Sequence, residues 1–217
     1  MAPDLTVHWT TLQALAIGGA LAWASGLRLY VVLLVLGLGS RYGYIDLPRE
    51  LSVLAHPYVI TASGILVFVE FFADKIPGLD SIWDAAHTFI RIPAGALLAA
   101  GIAGEEGLAV ALAAGLLGGT ITAGTHFTKT GTRLAANTSP EPFSNWGLSF
   151  AEDAMVAGGL WLAWQHPFAF LVLLAIFILA MAWLLPNLWR FVRRVLSAAG
   201  RMLGTTEAAR SEAPRQG

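Results

Sequence analysis

Apolar runs broken by short charged turns divide the chain into six segments, at 12–39, 58–76, 93–104, 108–128, 148–165 and 167–185. A helix needs roughly 20 apolar residues to cross a bilayer core, so most of these read as spans. The run at 93–104 is too short to cross alone. It reaches sufficient length only if the amphipathic stretch 79–92, which follows Pro77-Gly78, is drawn into the bilayer as the other half of a broken or re-entrant helix. The pattern therefore predicts an all-α integral membrane protein of about six transmembrane helices. The helical domain covers 1–203 and the small, polar tail 204–217 is expected to lack structure. Within 187–203, Trp189, Phe191, Val192 and Val195 alternate with Arg190, Arg193, Arg194 and Arg201. This suits a basic amphipathic helix on an anionic leaflet, or a plain stop-transfer flank.

Composition agrees. Hydrophobic residues make up 56% and charged residues 12% of 217, against about 25% charged in soluble domains. The 23 Gly and 8 Trp match the close packing and interfacial anchoring of helical membrane proteins. A net charge of −1 argues against a nucleic-acid partner, leaving membrane lipids and a cation or small solute as expected partners, with homo-oligomerisation open. With 0 Cys there is no thiolate chemistry, so any metal site must use O and N ligands. The first ten residues lack the basic region and cleavage site of a secretory signal, so the first span is expected to be retained. Arg190, Arg193, Arg194, Lys129, Arg133, Lys75 and Arg91 fall on one side, while Glu105 and Glu106 occupy a turn without Lys or Arg. By the positive-inside rule both termini are expected in the cytoplasm of a bacterial inner membrane, with Arg41 and Arg49 running against the trend.

The first and fourth spans echo one another. Ala24-Ser25-Gly26-Leu27-Arg28 parallels Thr122-Ala123-Gly124-Thr125-His126. Each is a breakable run of small residues followed by a basic group. With three spans between the copies, the halves would be inverted, an architecture common among secondary transporters. The bland reading is that such runs are close-packing surfaces.

The chemistry concentrates between residues 61 and 93. Glu70 and Asp74 lie four apart, on one helical face, and are suited to share a proton or a divalent cation. Ionised groups at this depth cost roughly 2.5–3.5 kcal/mol each on insertion scales and call for partners or function. Asp80, Asp84, His87 and Arg91 continue as a polar stripe. Asp80 or Ser81 is suited to cap the following helix, with Asp84 completing a capping box. Glu152 and Asp153 are adjacent and diverge by about 100° on a helix, so one is expected to face the pathway. Arg28, Lys75, His126 and Lys129 are the candidate counter-charges or gating groups, although snorkelling to lipid phosphate is the commoner fate of a Lys placed like Lys75. His87 or His126 is a candidate proton relay.

The stretch Glu70-Phe-Phe-Ala-Asp74-Lys75-Ile-Pro77-Gly78-Leu-Asp80-Ser-Ile-Trp-Asp84-Ala-Ala-His87-Thr-Phe-Ile-Arg91-Ile-Pro93-Ala-Gly95 resembles the signature of a bacterial membrane-protein family catalogued as a domain of unknown function. That likeness runs from the first span through the sixth and implies a grouping, with no activity attached. A more distant likeness is to the cation exchangers built on Glu-x-Gly-Asp-Lys-Thr or Ser in inverted halves, which handle calcium and manganese. Here the Glu-to-Asp spacing is one longer, Ala73 replaces the Gly, Ile76 replaces the Thr or Ser, and a second copy is lacking.

These observations favour a small transporter or channel for a cation or a proton-coupled small solute. Glu70 and Asp74 form its ion-binding pair, and Asp84, His87 and Glu152 contribute. A divalent cation is the only cofactor implied. One rival is an intramembrane enzyme on a lipid phosphate, with Arg28, Lys129 and Arg133 clamping the phosphate and a histidine as nucleophile or acid. Another is an assembly subunit whose charged stripe docks a partner.

Overall fold

The computed structural model describes residues 10–138 and 142–211, so the first nine residues and the last six of the expected tail lie outside it. The described residues form six α-helices: α1 (Thr11–Arg41), α2 (Pro57–Ala73), α3 (Leu79–Ile102), α4 (Leu108–Ala136), α5 (Pro142–Gln165) and α6 (Pro167–Ser211). Two short 3-10 turns, Arg49–Ala55 and Gly104–Glu106, precede α2 and α4. The protein is an all-α membrane-type bundle.

Local chemistry sets these boundaries. Thr10 caps α1 through a reciprocal box, its hydroxyl accepting from Gln13 N–H at 3.3 Å while Gln13 Oε1 accepts from Thr10 N–H at 3.0 Å. Pro57 opens α2 at a position where its missing N–H costs nothing. Gly78 ends the α2–α3 turn with φ +85°, a conformation costly for any residue with a Cβ. At the start of α3, Asp80 accepts from Gly78 N–H at 2.9 Å and Ser81 N–H at 2.6 Å. The expected box from Ser81 to Asp84 does not form, because Asp84 turns into the bundle interior.

The expected break between 79–92 and 93–104 is also absent. Residues 79–102 form one helix of 24 residues carrying Pro93 in its interior, and it is long and apolar enough to cross a membrane. Alpha1, α4 and the segment Pro167–Asn187 of α6 share that property. The turn Arg49–Ala55 and α2 reach it only together, bent by 66°.

The break falls instead in α1. Arg28 has φ −142° and ψ 67°, outside the helical region. Beyond it the chain turns back. Ile17 and Leu36 line the same apolar cavity of about 310 Å³, although 19 residues of straight helix would hold them roughly 28 Å apart. The neighbours agree. Gly26 packs on Thr122 and Thr125 of α4, and Ala22 O accepts from Thr122 Oγ1 at 2.7 Å, so residues 11–27 run alongside α4. Gly37 packs on Ile60 and Leu34 lies beside Gly64, so residues 29–41 run antiparallel to α2. Alpha2 and α4 point the same way, since Arg133 Nη1 near the end of α4 donates to Asp74 O at the end of α2, at 2.9 Å.

Alpha1 is therefore a helical hairpin with both ends at one end of the bundle, the near end, together with the 3-10 turns and His166. Its tip, Gly26 to Arg28, points toward the far end, where the α2–α3 turn and the last turns of α4 lie. The hairpin is central: 72% of its most apolar window is buried, against 33%, 22% and 17% for α3, α4 and α6. The described chain enters at the near end and leaves along α6 toward the far end. That path departs from the expectation of both termini on one side. Of the two echoing runs only the first is broken, but they meet face to face where Gly26 packs on Thr125.

Candidate functional site

The hairpin tip carries Arg28 into a cluster of buried charges drawn from α1 to α5. Among the described residues, Glu70, Asp74, Asp80, Asp84 and Glu152 are buried carboxylates, and Arg28, Arg91, Lys129 and Arg133 are buried strong bases, with His126 beside them. Buried charges at such density require partners, because desolvating one ion costs several kcal/mol.

Each guanidinium holds a different carboxylate. Arg91 Nη2 donates to Glu70 Oε1, and Arg28 Nη1 donates to Asp74 Oδ2. Arg133 grips Glu152 with both prongs, Nε to Oε1 at 3.1 Å and Nη2 to Oε2 at 2.8 Å, the geometry of a strong bidentate pair. Arg28 also donates to Ser149 Oγ at 2.8 Å and Ser149 O at 3.2 Å. Asp80 is held by the backbone of its own turn and by Asn137 Nδ2 at 3.0 Å.

Lys129 and Asp84 remain. Lys129 Nζ lies 3.4 Å from Asp84 Oδ1, 3.4 Å from Glu152 Oε2, and 3.7 Å from both Glu70 Oε1 and Asp74 Oδ2. Its hydrogen bond goes to Leu27 O, at 3.0 Å. Arg91 Nη1 reaches the same carbonyl at 3.2 Å. Disruption of α1 at Arg28 thus presents a helix C-terminus, the negative end of a dipole, to two cations. Neither oxygen of Asp84 receives a hydrogen bond, although Arg91 Nη2 stands 3.2 Å from Oδ1.

Of the residues expected from sequence, the structure gathers Glu70, Asp74, Asp84, Glu152, Arg28 and Lys129 into this cluster. His126 adjoins it, its Nε2 2.8 Å from Thr88 Oγ1. The cation that Glu70 and Asp74 share is the chain's own ammonium of Lys129. Among the described residues no group of three or more His, Asp or Glu is arranged to hold a metal ion. His87 stands apart, stacked on Trp83 at 3.9 Å with Nδ1 2.7 Å from Trp83 O. Lys75 lies over the Phe71 ring, 3.1 Å from its centroid, and donates to Phe71 O.

Glu152 and Asp153 divide in burial, Glu152 lying inside the bundle and the Asp153 side chain being 39% exposed. Both reach Arg28, at 3.6 Å and 2.9 Å, because a long guanidinium spans the angle between neighbouring side chains. The sequence singled out Arg91 only as part of a stripe and Arg133 only as part of the phosphate-clamp alternative. Arg91 lies seven residues after Asp84 and Arg133 four after Lys129, so helical spacing placed each on a face already singled out.

A family model described as a domain of unknown function, DUF4126, matches residues 15–187. The chain belongs to that family. The match extends from the hairpin through most of the apolar part of α6 and takes in every residue of the charge cluster. No curated protein and no solved structure matches the chain.

Proposed function

We propose that this protein is a small membrane transporter for a cation or a proton-coupled small solute, working through the buried charge cluster. The observation that carries this reading is an imbalance: five buried carboxylates face four buried strong bases. The excess negative charge gives a proton or a monovalent cation a reason to enter the membrane interior. Support also comes from α1, whose broken backbone turns carbonyls onto the same cluster, as discontinuous helices do at transporter binding sites.

The rival readings find less to stand on. A phosphate clamp needs bases free to meet an anion, whereas Arg28, Lys129 and Arg133 each face carboxylates. A docking stripe must be exposed, whereas Glu70, Asp74, Asp84 and Arg91 are buried. We place the far end in the cytoplasm of a bacterial inner membrane, because Arg190, Arg193 and Arg194 follow the apolar part of α6 on that side.

The test is flux in proteoliposomes, using an imposed pH gradient and a panel of monovalent and divalent cations and small solutes. Wild type is expected to dissipate the gradient with one of them, and Glu70→Gln and Asp74→Asn to lose that flux while remaining monodisperse. Equal flux in all three proteins would overturn the reading. A transported cation at about a hundred times its dissociation constant also raises unfolding stability by roughly 2.7 kcal/mol, seen as a thermal shift.

A further inference from the structure

Resting on the proton-coupled reading, we propose that Asp84 is the carboxylate that takes up and releases the proton, with Lys129 as the mobile counter-charge beside it. The assignment comes from the bonding of each acid. Glu70, Asp74 and Glu152 each receive a guanidinium hydrogen bond. Asp80 receives donors from Gly78, Ser81 and Asn137. Protonating any of these oxygens would sacrifice a hydrogen bond already made. Asp84 is fully buried, and neither of its oxygens accepts a hydrogen bond. Among the described buried acids it is the one on which a new O–H bond, at either oxygen, displaces no existing hydrogen bond.

The charged groups of the surrounding cluster come from every neighbouring element: Arg28 on α1, Glu70 and Asp74 on α2, Arg91 on its own helix, His126, Lys129 and Arg133 on α4, and Glu152 on α5, with the partly exposed Asp153 beyond Arg28. Arg91 and Lys129 come within 3.2 Å and 3.4 Å of Asp84 Oδ1. Lys129 Nζ is 3.4 Å from both Asp84 Oδ1 and Glu152 Oε2. Those separations exceed the 2.7–2.9 Å of a charge-assisted hydrogen bond, so the ammonium is tethered by Leu27 O and shared among the acids. When hydronium delivers its proton to an Asp84 oxygen, one O–H bond forms, water leaves, and the carboxylate becomes a neutral acid. The ammonium stays protonated and its attraction shifts to Glu152, Glu70 and Asp74. Release reverses each step. Among the buried groups, four carboxylates then stand against four bases while the proton is aboard, with Asp153 at the exposed edge, 2.9 Å from Arg28 Nε.

Dicyclohexylcarbodiimide, which modifies protonated carboxyl groups in apolar surroundings, tests the assignment on the wild-type protein, with the adduct mapped by peptide mass spectrometry at several pH values. The adduct is expected on Asp84, increasing as pH falls. An adduct on Glu70, Asp74, Asp80 or Glu152 instead, or on none of the five, overturns the proposal. Infrared pH-difference spectra give a second readout without labelling. The protonated-carboxyl band is expected to vanish in Asp84→Asn and persist in Glu70→Gln, and the opposite pattern overturns the assignment. Flux with no adduct on Asp84 refutes this assignment and leaves transport standing. An adduct on Asp84 without flux supports the assignment and refutes the transport reading.

Discussion

Arg133 shows what a single side chain contributes here. Its fork holds Glu152 through two hydrogen bonds while its other nitrogen closes on Asp74 O, so one planar group ties α2, α4 and α5 together. Lysine keeps the charge but supplies only a point donor. Arg133→Lys is expected to lower unfolding stability by about 1–3 kcal/mol, the cost of leaving a buried charged group half-satisfied. Arg133→Met, which leaves the acid without its partner, is expected to cost about 3–5 kcal/mol. Denaturant unfolding of the two variants in one detergent checks both the order and the gap. At this scale the sequence was informative. Glu70, Asp74, Asp84 and Lys129 stood out because charge at membrane depth is expensive. His87 lies on the same stripe as Asp84, but a stripe fixes only a direction around the helix. Packing against Trp83 decided where that ring went.

Among the elements, α1 departs furthest from its sequence. Its 31 residues hold a window more apolar than those of α3 and α4, and hydropathy carries no mark of a reversal. The one local sign was the run Ser25-Gly26-Leu27-Arg28, small residues followed by a charge. Gly26 explains why small residues are needed at the tip: a Cβ there would meet Thr125 Cβ at 2.6 Å and Thr122 O at 2.7 Å. Gly26→Ala is therefore expected to destabilise by about 1–3 kcal/mol through overpacking. Gly64→Ala, whose nearest contact is Leu34 at 3.9 Å, is expected to be neutral or to stabilise by up to about 1 kcal/mol through helix propensity. Thermal melts of the pair separate a crowded tip from a general intolerance of glycine replacement. Alpha3 errs the other way. The short apolar run 93–104 behind an amphipathic stretch suggested a break, yet the helix continues through Pro93, because proline removes one backbone bond and the helix on either side is held by α1 and α4.

For the whole molecule, the all-α membrane-type fold was legible because bilayer thickness and hydropathy impose it, whereas of the six expected spans four described helices, or five with the bent pair, are long and apolar enough to cross. The path was not legible, since the direction of each helix depends on whether its predecessor crosses or returns. The absence of native cysteine makes that path directly testable. In intact vesicles, Thr11→Cys and Ser52→Cys are expected to react with a membrane-impermeant maleimide from the same side, and Thr138→Cys from the other. A straight α1 predicts opposite sides for the first two.

The folded-back hairpin also bears on how the protein is made. Residues 11–41 emerge from the ribosome before the helices that enclose them, and by hydropathy alone they are able to span. A reporter fused just after residue 41 should then be exported across the membrane relative to Thr10. The same reporter inserted at that point in the full-length chain should share a side with Thr10. That pair of results would mean that α1 first inserts straight and folds back, bringing Arg28 to its acids, only after later helices are present.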